Sequence, residues 1–388
     1  MYNEAFDKAM KIKGYGSFPN TIKNGDIEKV KNLKDGSKVK ITVVESITDY
    51  MNFINTLNTN FTNPVFYRGQ INANYLIQPY SFRKNISNEH ILIENFKRYF
   101  YSELGNCKTS VEKLILMQHY GLATRCLDIS ENPLVALYFA CVPYKKFRDC
   151  SKTSTDDDWG EVILFREKST EAEKSNNTKP ERLKEMNSSN VSIIANTAFM
   201  EKEFSLWDLG AYWKVDKNQT YTEVYINLKS IVRNSFIVRV PFDNPRIKNQ
   251  RGAFILVNSN KAYIEKNEHR YFENDLTRFI NNNEYTTYDD LLVTDKYKKY
   301  LDKQNTWELK FHKVKPYDDS SEFDFFKTDP FDLKRIFYKD NENNNLVVLI
   351  PPKAKEKIKQ ELSRFGITDM FIYPDMDTAA NEINVTIE

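Results

Sequence analysis

The sequence predicts an α+β fold, in which a small, mixed and mostly antiparallel sheet is flanked by helices. Two observations predict it. Before Lys145, apolar residues recur at intervals of three and four, which is typical of amphipathic helices. Short runs of β-branched and aromatic residues occur from Val65 to the C-terminus, which is typical of strands. Strands this far apart must pair over long sequence distances.

Capping signals indicate where several helices begin and end. Ser46 is expected to cap the first helix and Ser110 the third, because a Ser side chain accepts a hydrogen bond from the first helical turn. Pro133 suits the first turn of a fourth helix, with Ser130 or Asn132 as its cap. This helix is apolar on all sides and is therefore expected to be buried. A C-terminal helix is expected to end at Gly366. The predicted helices are 46–57, 92–104, 110–121, 132–140, 275–281 and 354–366.

Strands are expected where short apolar runs lie between polar or turn-forming stretches. Val65-Phe66-Tyr67 has high strand propensity and leads into a predicted turn at Arg68-Gly69-Gln70. Asn244-Pro245-Arg246 predicts a turn between two strands. The C-terminal segment is expected to form a strand, a helix and a strand. The predicted strands are 65–67, 161–165, 235–241, 250–257, 346–350 and 370–373.

Composition excludes several classes of protein. The chain has 388 residues, with 56 Lys and Arg against 54 Asp and Glu, so its formal net charge is +2. This balance excludes binding of nucleic acid through a broad positive field. The mean hydropathy is −0.62, and no apolar run approaches the roughly 20 residues of a membrane span. Without a signal peptide, a C-x-x-C pair or a zinc spacing, we expect a soluble protein of the reducing cytoplasm with no metal.

Polar side chains are concentrated in two segments, FYRGQ at 66–70 and MQHYGLATRCLD at 117–128. Arg68 precedes a glycine at a strand end, where its five donors suit a diphosphate or a carboxylate. His119 is at a helix C-terminus, where the helix dipole favours the protonated ring. Thr124-Arg125-x-x-Asp128 brings a hydroxyl, a base and a carboxylate into one turn.

Each of these residues also has a purely structural interpretation. In that interpretation, Arg68 is expected to form a buried ion pair with Asp128 that holds the strand to the loop. His119 bonds a carbonyl of its own helix. Asp128 caps the next helix and pairs with Arg125.

These segments, together with NPLVALYFA at 132–140, resemble the FRG domain family, named for its Phe/Tyr-Arg-Gly motif. The resemblance extends more weakly to 246–254 and 362–376. The chain departs from the family at three packing positions, where the family has Pro, Leu and Trp: Ala123, Cys126 and Ile129. The resemblance implies an N-terminal extension (1–45), an FRG domain core (46–257) with a variable insertion near 150–230, a variable segment (258–342) and a C-terminal strand–helix–strand that completes the core (343–388).

Aromatic-Arg-Gly at a strand end is also similar, more loosely, to the first motif of mono-ADP-ribosyltransferase domains. That similarity implies an ADP-ribosyltransferase-like fold with NAD as the substrate, in which Arg68 holds the NAD diphosphate. It implies His119 and Asp128 as catalytic residues. The Glu that those enzymes place on a late strand is not identified, and Asp128 and Glu131 are the acids nearest to the motif. The implied NAD-binding residues are Tyr67, Arg68, Gly69, Gln70, Gln118, Tyr120, Thr124 and Arg125.

The two resemblances together imply an NAD-consuming enzyme, either a mono-ADP-ribosyltransferase or an NAD glycohydrolase, of the toxin or defence type. Its macromolecular target is a protein or a nucleic acid. The alternative is a non-catalytic module that binds a nucleotide or nucleic acid through Arg68, Arg125 and exposed aromatic residues. In a third interpretation, the polar residues form an internal network that only stabilises the fold.

Overall fold

The computed structural model describes residues 31–32, 38–57, 64–73, 75, 77–83, 89–142, 159–166, 184–185, 189–201, 203–205, 235–242, 244–258, 260–266, 269–272, 307–313, 336–342 and 344–374. Their strands are β1 (Lys31–Asn32), β2 (Lys38–Val43), β3 (Phe66–Gln70), β4 (Cys126–Ser130), β5 (Gly160–Phe165), β6 (Lys184–Glu185), β7 (Glu203–Ser205), β8 (Phe236–Arg239), β9 (Gly252–Leu256), β10 (Asn260–Lys266), β11 (His269–Phe272), β12 (Trp307–Lys313) and β13 (Asn345–Ile350).

The described helices have between 4 and 13 residues. They are α1 (Ile47–Asn55), α2 (Tyr80–Arg83), α3 (Glu89–Tyr99), α4 (Tyr101–Gly105), α5 (Ser110–His119), α6 (Pro133–Cys141), α7 (Ser189–Thr197), α8 (Pro245–Gln250), α9 (Pro352–Arg364) and α10 (Asp369–Ile372).

Nine strands form the main sheet, in the order β1-β2-β13-β5-β3-β4-β9-β8-β6. Its neighbours are antiparallel except for the parallel pairs β13–β2 and β6–β8. A second sheet has the order β11-β10-β12-β7. The prediction of an α+β fold with a mixed, mostly antiparallel sheet is confirmed, although the sheet is larger than the small one expected.

The main sheet is covered on both faces in the region of β3, β4 and β5. Tyr67 and Val162 pack against α1, α6 and α9 on one face, here called the helix face. On this same face, β4, β8 and β9 pack against α5 and α7. Phe66 and Phe165 lie on the opposite face, here called the Arg68 face, where Phe337 contacts Phe165 with ring centroids 5.6 Å apart. Successive side chains of β3 therefore enter different parts of the core.

Helix α6 approaches the helix face so closely that two strands must carry glycine beneath it. A Cβ atom at position 69 would lie 1.8 Å from the carbonyl oxygen of Ala136. A Cβ atom at position 160 would lie 2.3 Å from the carbonyl oxygen of Ala140. Helix α6 is apolar around its circumference and buried, as predicted. Close packing of this helix thus explains Gly69 without any ligand.

The capping predictions are largely confirmed. Ser46 accepts a hydrogen bond from the Asp49 amide at the start of α1. Asn132 caps α6, and Pro133 begins it. Gly366 follows α9 with a φ of +74°, the left-handed conformation that favours glycine. Helix α5 differs by one residue, because Thr109 and not Ser110 is its cap.

The predicted turn at Arg68-Gly69-Gln70 is wrong, because these residues belong to β3 and all of β3 pairs with β5. The glycine provides room for α6 and does not reverse the chain. The predicted turn at 124–128 is also wrong. Residues Cys126–Ser130 form β4, which pairs with β9 over all five residues.

Three further elements differ from their predictions. The apolar stripe over 92–104 is divided into α3 and α4 at Phe100. The predicted turn at 244–246 begins helix α8, since the Asn244 side chain caps it. The predicted strand at 370–373 is wrong, because Thr368 caps helix α10 there. The helix predicted at 275–281 lies outside the described residues.

The close approach of α6 predicts the effect of adding one methyl group. Gly69→Ala should lower the free energy of unfolding by about 2 kcal/mol or more, because the backbone of α6 must move away from β3. Gly105→Ala is the matched control, since nothing lies within 4 Å of its Cβ position. Thermal and urea unfolding, followed by circular dichroism, measure both variants. Equal stability of the two variants would contradict the packing described here.

Candidate functional site

Strands β3 and β4 form only one ladder pair, between Tyr67 and Ser130, whereas β3 pairs with β5 along its whole length. Beyond this pair, from Arg68 to Gln70, β3 forms no ladder pairs with β4. We call this opening the strand split. Arg68 Nη1 donates a hydrogen bond of 2.6 Å to the backbone carbonyl of Asp128 across it. Arg68 therefore replaces part of the missing ladder.

The Arg68–Asp128 contact differs from the ion pair considered in the sequence analysis. The guanidinium binds the main chain of Asp128, and no ion pair joins the two side chains. The reason is the alternation of side chains along β4. Leu127 and Ile129 lie on the Arg68 face of the sheet. The Asp128 side chain between them is therefore directed to the helix face.

The Asp128 carboxylate is exposed, and a chain of hydrogen bonds orients it. Its Oδ1 accepts a 2.8 Å bond from Gln118 Nε2. Gln118 Oε1 in turn accepts from the Thr124 hydroxyl, whose oxygen accepts from the Cys126 amide at 3.2 Å. These bonds determine which end of the Gln118 amide faces the carboxylate. Oδ2 of Asp128 makes no hydrogen bond to any residue that the structure describes.

The carboxylate of Glu131, the other acid near the motif, is paired with basic side chains. It forms ion pairs with Arg239 at 2.9 Å and with Arg251 at 3.6 Å. It does not cap α6, and neither does Asp128, because Asn132 is the cap. Within the described residues, Asp128 has no such basic partner. Asp128 is therefore the better candidate for a carboxylate that acts on a ligand.

His119 and Tyr120 lie at the end of α5, next to Gln118, and both are exposed. His119 Nε2 is 3.3 Å from Asn244 Nδ2. Asn244 Oδ1 accepts from the amide of Arg246, so its Nδ2 is the donor toward His119. This hydrogen bond requires an unprotonated Nε2 on His119.

Arg125 lies in the core and is 1% exposed. Its Nε is 3.2 Å from each carboxylate oxygen of Glu89, which is fully buried, and its Nη1 donates to the hydroxyl of Thr197. The structural interpretation that paired it with Asp128 is wrong. Three residues of extended chain place the two roughly 10 Å apart, whereas one turn would have brought them together.

The remaining predicted residues are distributed over both faces of β3. Tyr67 is buried on the helix face, and burial raises the pKa of its hydroxyl to about 12, so it stays neutral at physiological pH. Gly69 lies under α6. Gln70 is buried on the Arg68 face, where it opposes Glu161. The structure thus brings together Gln118, Thr124 and Asp128, with Arg68 bound to the backbone of Asp128.

Two partners of the predicted site residues were not predicted from the sequence. Asn244 precedes Pro245, which is a helix-start signal that could have been used. Glu89 had no such signal, because its partner Arg125 is 36 residues away.

A cavity of about 490 Å³ lies elsewhere, between α1 and the segment before β13. None of the predicted site residues lines it. Its polar lining residues are Lys40, Thr42, Asp49, Asn52, Thr56, Tyr338, Asp340, Asn341 and Glu342.

The sequence of the strand split and of the helices around it matches a known family. Residues 63–149 match the model of the FRG domain family. The chain contains an FRG domain. The matched range includes β3, β4, α5 and α6, and hence the Arg68–Asp128 contact and the helix above Gly69. Comparison with curated proteins and with solved structures found no match. Across the described part of the chain, no helix has the length and apolarity needed to cross a membrane.

The Arg125–Glu89 pair predicts a large effect on stability. Arg125→Met should lower the free energy of unfolding by about 3–5 kcal/mol, because Glu89 would remain buried without its partner. The double variant Arg125→Met/Glu89→Leu should recover part of this loss. Lys97→Met, which breaks the exposed pair with Glu94, is the control and should cost less than about 1 kcal/mol. A small effect of Arg125→Met in urea unfolding would mean that Arg125 is not a core residue.

Proposed function

We propose that the FRG domain of this chain consumes NAD, transferring its ADP-ribosyl group to a macromolecule or to water, with Asp128 as the catalytic carboxylate. The observation that supports this proposal is the state of Asp128. It is exposed, one oxygen is bound by Gln118, and the other makes no hydrogen bond to a described residue. An oriented carboxylate of this kind suits stabilisation of a developing positive charge.

The reaction breaks the glycosidic bond between the nicotinamide nitrogen and C1′ of the ribose. The electron pair of that bond leaves with nicotinamide, and the ribosyl group becomes an oxocarbenium-like cation. Asp128 stabilises this cation electrostatically. A hydroxyl, amine or water then forms the new bond to C1′ and loses its proton. His119 is the group proposed to take that proton at Nε2, where the proton replaces the hydrogen bond from Asn244.

Arg68 acts here as a positioning residue. Its bond to the carbonyl of Asp128 fixes the strand that bears the carboxylate, on the side where β3 and β4 are not laddered. The similarity to ADP-ribosyltransferases also gives Arg68 the NAD diphosphate. The guanidinium is only half-buried, so both roles are compatible with its place in the strand split.

Release of nicotinamide from NAD tests the proposal. Asp128→Asn should reduce the rate by about 100-fold or more, because the amide keeps the shape of the side chain and loses its charge. Glu103→Gln, at an exposed acid on α4, is the matched control and should leave the rate unchanged. Thermal unfolding of both variants checks that they are folded. Wild-type protein that releases no nicotinamide, or an Asp128→Asn variant with full activity, would contradict the proposal.

An exposed group of aromatic rings favours a second candidate function, the binding of a single-stranded nucleic acid. Tyr99 is 83% and Tyr101 is 80% exposed. Nearby, the rings of Phe100 and Tyr120 are parallel within 5°, with centroids 6.3 Å apart. Exposed rings at this spacing offer stacking surfaces for bases.

Affinity for a single-stranded oligonucleotide, measured against salt, tests this second function. Binding should weaken steeply as salt rises, and Tyr101→Ala should lose about 1–3 kcal/mol of binding free energy. Phe242→Ala removes an exposed ring outside the group and is the control. If the protein does not bind the oligonucleotide at low salt, or if the two variants lose equal binding free energy, nucleic-acid binding by these rings is excluded.

A further inference from the structure

Gln70, the last residue of β3, has a buried side-chain amide. Its side chain is 4% exposed, and neither Oε1 nor Nε2 has a partner among the described residues. Buried amide groups in proteins are nearly always hydrogen-bonded, because leaving them unpaired costs free energy. The fold gives no reason for a glutamine here, since a leucine would fill similar space without that cost. The polar atoms of Gln70 therefore point to a ligand.

The position of Gln70 in the sheet supports a ligand site. It lies at the end of β3, two residues beyond Arg68 on the same face, and it opposes the fully buried Glu161 of β5. On the β4 side, the ladder of β3 stops at Tyr67. Gln70 is thus at the strand split, on the edge of β3 that is not paired with β4. Phe82 of α2 packs on this face.

The chemistry of a primary amide restricts what it can recognise. Gln70 offers one acceptor and one pair of donors side by side in a plane. Its complement is a planar group with an acceptor next to an N–H donor. A primary carboxamide has this arrangement, and so does the edge of adenine, which Gln side chains bind in a bidentate manner. NAD has one of each, in its nicotinamide and adenine groups.

We propose that Gln70 binds a ligand that presents an adjacent acceptor and N–H donor, either a carboxamide or an adenine edge, at the strand split. This inference rests on the proposed function for its choice of NAD as the source of that group. Arg68 lies beside this position on the same face, so a ligand held by Gln70 is also near the guanidinium.

Binding of fragments of NAD, followed by calorimetry, tests the inference on the full chain. Nicotinamide is compared with nicotinic acid, whose carboxylate has no donor, and adenosine with purine riboside, which lacks the 6-amino group. The wild type should bind either nicotinamide or adenosine at least 10-fold more tightly than the matched analogue. The fragment that shows this preference identifies which part of NAD binds Gln70. Gln70→Leu should abolish this difference. Gln360→Leu, at an exposed position of α9, should retain it.

Thermal unfolding without ligand gives an independent readout. Gln70→Leu should be at least as stable as the wild type, because it removes an unpaired buried amide. A destabilised or unfolded Gln70→Leu variant would show that Gln70 is paired in solution, for instance by a buried water, and would overturn the inference. Wild-type protein that does not discriminate within either pair of fragments would also overturn it.

The outcomes separate the inference from the proposed function. If nicotinamide release from NAD depends on Asp128 but Gln70 does not affect the discrimination between fragments, the proposed enzyme is supported and the Gln70 site is excluded. If fragment binding depends on Gln70 but NAD releases no nicotinamide, the Gln70 site is supported and the proposed enzyme is excluded.

Discussion

The close contact between helix α6 and strand β3 is the constraint on which the site depends. A single methyl group at position 69 would overlap the carbonyl of Ala136, so the helix and the strand can only meet where the strand has glycine. Helix α6 directly follows β4, separated from it by Glu131 and Asn132. Because α6 is held against β3, the end of β4 is held beside β3 too. The single ladder pair between Tyr67 and Ser130 lies at this point.

Alternation along β3 divides the motif between two tasks. Tyr67 and Gly69 are directed to the helix face, where they pack beneath helices. Arg68 and Gln70 are directed to the other face, where the strand is open toward β4. A motif of adjacent letters therefore does not describe one cluster of side chains. It combines a packing requirement with a candidate binding requirement, and Arg68 connects the two through the backbone of Asp128.

The sequence predicted those features that depend on local chemistry. Helices α1 and α6 were placed correctly because Ser46 and Asn132 cap them within a few residues. Features that depend on distant partners were not placed. The sequence predicts a turn at strand β4, which has a polar residue at its centre. The pairing of β4 with β9, more than 120 residues away, leaves no local signal. The partner of Arg125 was wrong for the same reason. Gly69 was correctly singled out, but its cause, the approach of α6, is a tertiary contact.

The proposed NAD site spans the strand split, because Gln70 lies on the Arg68 face and the Asp128 carboxylate lies on the helix face. A crystal structure of the protein grown with a non-cleavable NAD analogue tests it most directly. We expect electron density for the analogue at the strand split, with its nicotinamide ribose near the Asp128 carboxylate on the helix face and a planar polar group on Gln70 on the Arg68 face. Density for water alone on Gln70, with the analogue absent or bound in the cavity beside α1, would contradict it.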